Sequence, residues 1–105
     1  MAIQFSNTDA FGHTDATAYA MLSFNAFDKV SNSGRIVMSV YKDAAARAAD
    51  ITAVMLRKEF SVRDDAEAAT TELTDLIAAI DTTGLSAVYA YAKTKDAELN
   101  GGTDV

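Results

Sequence analysis

Hydrophobic and polar positions alternate with a period of two along three stretches of the chain, the mark of strands with one buried face. In residues 18–27, Ala20, Leu22, Phe24 and Ala26 point one way, and Tyr19, Met21, Ser23, Asn25 and Phe27 the other. A polar run, Asp28-Lys29-Val30-Ser31-Asn32-Ser33-Gly34, leads to residues 35–42, where Ile36, Met38 and Val40 alternate with Val37, Ser39 and Tyr41. Two such runs across a short polar link predict an antiparallel hairpin. Residues 52–62 alternate again. Val54, Leu56, Phe60 and Val62 share a face that Lys58 interrupts, and Met55, Arg57, Glu59 and Ser61 take the other.

The intervening residues 43–50 are alanine-rich, with Asp43 placed to cap one or two helical turns against the sheet edge. After Val62 the period changes to 3.6. Ala69, Leu73, Leu76, Ile77 and Ile80 form one stripe of a helix running from Asp64 to Asp81. Asp64 and Glu67 have capping-box spacing, and Gly84 closes the helix. Residues 85–99 fit either period. Leu85, Val88, Tyr89, Ala92 and Leu99 make a helical stripe, while Leu85, Ala87, Tyr89 and Tyr91 alternate as a strand; the alanine content favours helix.

Residues 1–17 lack a period and are rich in turn formers, including Asn7, Asp9, Gly12 and Asp15. They predict an extended arm with one short strand over residues 2–5. Residues 100–105 read as a flexible tail. The expectation is an α+β fold: a three-stranded antiparallel meander with C-terminal helices packed on one face and an extended N-terminal arm, in a single domain over residues 18–99. Its expected core is Leu22, Phe24, Ile36, Met38, Val40, Val54, Leu56, Phe60, Leu73, Leu76, Ile77 and Ile80.

The chain of 105 residues suits one domain, and its 50% hydrophobic content is too high for an acidic disordered tail. With no cysteine there is no disulfide framework, thiol nucleophile or thiolate metal site. Nine basic against fifteen acidic side chains give a net charge of −6. That balance, with basic residues scattered among acids, argues against nucleic acid as a partner and would repel an anionic membrane. No apolar run approaches the ~20 residues needed to cross a bilayer, and the first residues lack signal-peptide character, so the expectation is a chain used without export.

Candidate chemistry is sparse. His13 is the single histidine, flanked by Asp9 and Asp15, and the spacing lacks the ligand pattern of a calcium loop. Asp64, Asp65, Glu67 and Glu72 offer paired carboxylates, which helix capping explains equally well. Gly101-Gly102-Thr103 is glycine-rich like a phosphate loop and lacks its lysine and following helix. No catalytic residues, cofactor or metal site is expected, and a small hydrolase resting on His13 ranks third among the functional readings.

The second sheet face is more informative. One helical layer covers one face of a sheet, so Tyr19, Met21, Phe27, Val37 and Tyr41 on the other are candidate interface residues. The alternative is that the N-terminal arm folds over them. Open sheet edges point to strand pairing with another chain.

Three segments carry a resemblance: Ile36-Val37-Met38-Ser39-Val40-Tyr41-Lys42-Asp43-Ala44-Ala45-Ala46-Arg47-Ala48-Ala49-Asp50, then Val54-Met55-Leu56-Arg57-Lys58-Glu59-Phe60-Ser61-Val62, and the close from Tyr89-Ala90-Tyr91-Ala92-Lys93-Thr94-Lys95 to Gly101-Gly102-Thr103-Asp104-Val105. Over about two-thirds of its length the chain resembles small structural proteins of tailed-bacteriophage virions; the helix at residues 64–81 is longer than in that pattern. The resemblance implies a non-enzymatic virion subunit, of tail or baseplate accessory or head decoration type. It would be made in the host cytoplasm and partnered by other virion proteins and copies of itself. A soluble cytoplasmic binding or regulatory module forming a homo-oligomer is the alternative.

Overall fold

The structure, a computed structural model, describes residues 2–105. Strands β1 (Ile3–Thr8), β2 (Thr14–Asp28) and β3 (Ser33–Tyr41) follow one another as hairpins. Helix α1 (Ala44–Ala49) and a link lead to β4 (Leu56–Asp65) and the short β5 (Thr70–Thr71). Helices α2 (Glu72–Thr83), α3 (Ser86–Lys95) and α4 (Ala97–Asn100) then carry the chain back to β6 (Thr103–Asp104). Among the described residues the strands form one antiparallel sheet of six in the order β5-β4-β3-β2-β1-β6, curled into a half-barrel.

This overturns the expected three-stranded meander with an N-terminal arm. Residues assigned to the arm form β1 and the start of β2; Met1, the arm's first residue, lies outside the described residues. In β1, Ile3, Phe5 and Asn7 are buried while Gln4, Ser6 and Thr8 are exposed. Two large apolar residues are a weak local signal. Pairing on both sides supplies what composition does not, with Ile3 opposite Ala20 of β2 and Asp104 of β6. The expected flexible tail is β6. Ala2 and Val105 exchange backbone hydrogen bonds of 3.0 and 2.9 Å, and Lys93 Nζ lies 2.8 Å from Asp104. Gly102 permits the approach, since a Cβ there would stand 2.8 Å from the Gln4 carbonyl oxygen.

The C-terminal helices cover the inner sheet face. Ile3, Phe5, Ala18, Ala20, Ile36, Met38, Val40 and Val62 meet Leu73, Leu76, Val88, Tyr89, Ala92 and Leu99 there. Of the expected core, Phe24 is exposed and Val54 lies half-buried in the link after α1. The first departs because of a β-bulge. Leu22 opposes Met38 and Phe24 opposes Val37, so Ser23 is an extra residue that reverses the alternation of everything after it. Phe24 moves to the outer face. Phe27, expected there, packs against the core, its ring filling the space where Gly34 has no side chain. Tyr89 of α3 supports the bulge, its hydroxyl oxygen accepting the Leu22 N–H at 2.8 Å.

Helix α2 starts eight residues later than the stripe predicts. Asp65 accepts from the Glu67 and Ala68 N–H groups, and Ala69 is left-handed (φ 55°), so residues 66–69 turn instead of winding. Asp64 still caps α2, from the end of β4: its carboxylate accepts the Thr74 N–H at 3.1 Å and the Thr74 hydroxyl at 2.5 Å. Residues 85–99 are helical with a break at Asp96, which caps α4 through the Leu99 N–H at 3.1 Å.

Candidate functional site

The outer sheet face is built by strict alternation on β3 and β4 and by the bulge on β2. Rows of cross-strand neighbours run Tyr19–Tyr41, Met21–Ser39–Arg57, Phe24–Val37–Glu59 and Ala26–Arg35–Ser61. Of the five candidate interface residues, Tyr19, Met21, Val37 and Tyr41 thus share this face, and Phe27 lies on the opposite one. Val37 and Tyr41 are covered within the chain itself, at 7% and 5% exposure. Tyr41 lies under the link after α1: its hydroxyl donates to the Ile51 carbonyl at 2.7 Å, and the Arg47 guanidinium stands 5.9 Å from its ring centre. Among the described residues no arm covers the rest. Tyr19 and Met21 are half-buried, and Phe24, which the period of two places in the core, is 51% exposed.

Phe24 stands in a shallow trough of about 330 Å³ with Val37 in it and Arg35, Arg57 and Glu59 around it. The Ser23 hydroxyl donates to the Val37 carbonyl at 3.0 Å and holds the bulge flat against β3. Arg35 is paired with Glu59. The basic residues, scattered in sequence, are sorted in space. Arg35, Arg57 and Arg63 alternate outward on β3 and β4, and Arg47 reaches the same face from α1, so the chain's four arginines line one surface. Sequence reading missed this because Arg57 and Lys58 are adjacent in the chain and point to opposite faces.

Lys58 is the counterpart on the inner face. Only 14% exposed, its ammonium lies 2.8 Å from Asp96 and 3.3 Å from Glu98, and 5.6 Å from the Phe5 ring centre. The Glu98 carboxylate also accepts the Thr8 N–H at 2.9 Å. One side chain of α4 therefore ties β1 to β4 across the curl. Burial pushes the Asp96 carboxyl up, but hydrogen bonds from Lys58 and the Leu99 N–H, together with the Lys58 charge, outweigh it and leave the group below its ordinary value.

The other chemical candidates have structural duties. Asp9 accepts the Phe11 and His13 N–H groups at 2.9 Å and shapes the β1–β2 turn. His13 is 71% exposed, with Nε2 3.7 Å from Asp15. The hydroxyl and then the N–H of Thr74 hold Asp64 below the usual carboxylate range, as helix capping requires. Glu72 pairs with Lys95 at 2.6 Å. Among the described residues no three His, Asp or Glu side chains gather in a group able to hold a metal ion. No described helix is long and apolar enough to cross a membrane. Compared with family models, with curated proteins and with solved structures, the chain has no match.

Proposed function

We propose that this protein is a structural subunit of a tailed-phage virion, a tail or baseplate accessory or a head decoration protein, that works by packing against other subunits and carries out no reaction. One observation supports this reading above the others: the outer sheet face is left uncovered around Phe24, with Tyr19 and Met21 beside it. An aromatic ring half in water, with Arg57 and the Arg35–Glu59 pair beside it, has the composition of an interface centre. The C-terminal helices α2, α3 and α4 lie on the other side, and α1 with its link covers only the Tyr41 end of this face. The sequence pattern that resembles phage structural proteins supplies the virion context.

Mass spectrometry of purified particles of the phage that encodes the chain tests this. The expected result is recovery of its peptides in many copies per particle; their absence overturns the reading. The double variant Tyr19→Ser, Met21→Ser should keep its melting transition within a few degrees and lose at least half of its incorporation. Normal incorporation of a folded double variant would remove this face from the account. Tyr41 is unsuitable as a probe because it is buried within the chain.

A further inference from the structure

The surface opposite the arginines offers a complement. Helices α2 and α3 border an open groove of about 340 Å³, with Ala79, Ala87 and Ala90 in its lining and Glu72 and Asp75 among the residues around it. Asp75 and Asp81 lie on the exposed side of α2, and neither has an ionic partner among the described residues. Residues 64–105 carry nine carboxylates against two lysines, while residues 1–63 carry seven basic side chains against six acidic ones. The excess negative charge thus lies in the C-terminal part of the chain, where Glu72, Asp75 and Asp81 are carried by α2, while all four arginines lie in the N-terminal part.

We infer that copies of this chain associate head to tail, Phe24 and its flanking Arg57 on one copy seating in the α2–α3 groove beside Asp75 of the next. The occupant is a second copy because the same chain presents both halves of the contact: an exposed ring beside Arg57, and a largely apolar groove beside Asp75, the neighbouring Arg35 and Glu72 being paired with Glu59 and Lys95. Charge complementarity sets the register, and the ring supplies the apolar area. The two surfaces differ, so the contact is heterologous. Each copy keeps one face free, and repetition yields a ring or a filament. A polyanion on the arginine face is disfavoured because the chain's net charge of −6 repels it beyond the patch.

This inference rests on the subunit reading for its biological setting, but its test is independent of particles. Sedimentation of the purified chain over a hundredfold concentration range should show growth beyond a dimer. Phe24→Ser and Asp75→Arg, both at exposed positions, should each weaken association at least tenfold with unchanged circular dichroism. Mixed together, the two variants retain one intact face and one intact groove between them, so they should form a one-to-one dimer that grows no further. Phe11→Ser, at an even more exposed ring, should leave association unchanged. A wild-type chain that stays monomeric, a mixture that does not pair, or an equal effect of Phe11→Ser overturns the inference. So does a single-stranded oligonucleotide that binds the wild type and not Arg57→Glu while self-association is absent. If the chain associates as described and is missing from particles, the virion reading fails and the head-to-tail contact stands.

Discussion

Lys58 stands on the face of β4 that sequence periodicity reserves for apolar side chains, and its position is intelligible only from the other end of the chain. Its ammonium meets Asp96 and Glu98, some forty residues later, at the joint between α3 and α4. A cation this covered is retained only if its partners are in place, because an unpaired buried charge costs more than the pair gains. Lys58→Met should therefore lower stability by about 1–3 kcal/mol at neutral pH, read by urea unfolding. The folded-state pKa of Asp96 is depressed, so its contribution is fully present above the ordinary carboxylate pKa of about 4 and is lost as pH falls through the lower folded value. The gap between wild type and Lys58→Met should accordingly narrow below about pH 4, the ordinary carboxylate value. A gap that stays constant down to the acid transition would mean that Lys58 acts through its stem packing alone.

At the scale of elements, β4 was legible because it buries one face, a condition that imposes a period of two, and β3 kept the same alternation although both its faces are buried from Ile36 to Tyr41. The same reasoning placed Tyr19, Met21, Val37 and Tyr41 on a common outer face. It failed at Ser23, where a single extra residue exchanges the positions of Phe24 and Phe27, since no local pattern distinguishes a bulge from a regular strand. Of β1 only the start was legible, as the short strand expected over residues 2–5; the rest of β1, with β5 and β6, was illegible for a different reason: these segments are short or polar, and β6 finds its partner β1 at the other end of the chain. Asp64 shows the intermediate case, a cap whose residue type was readable and whose route to α2 ran through a turn instead of the first helical turn. The bulge has a testable support. Leu22 N–H donates to the Tyr89 hydroxyl from α3, so Tyr89→Phe leaves a partly buried donor without that acceptor. The expected cost is about 1–2 kcal/mol, with amide exchange at Leu22 faster than at Ala20, whose burial is unchanged. Protection at Leu22 equal to wild type would show that the bulge is held by β3 alone, through the Ser23 hydroxyl and the ladder.

For the whole molecule the decisive quantity is the placement of charge, and the sign of its salt dependence separates two accounts of how copies meet. If the net charge of −6 acted as a smooth surface charge, copies would repel at low ionic strength, and added salt would promote association by screening that repulsion. If instead the arginine face of one copy meets the acidic helical face of another, the dominant near-range term is attraction, and salt weakens it. The charges concerned are exposed, so screening reaches them: the Debye length falls from about 14 Å to about 4 Å between 50 and 500 mM salt, on the scale that gives 10 Å at 0.1 M. The apolar seat of Phe24 responds little over the same range. The apparent association constant should therefore fall several-fold from 50 to 500 mM sodium chloride, and the fall should be shallower in Arg57→Gln, which removes one of the attracting charges without reversing it. A rise with salt would assign the contact to the apolar surface alone and would make the segregation of arginines and carboxylates a property of the fold rather than of the assembly.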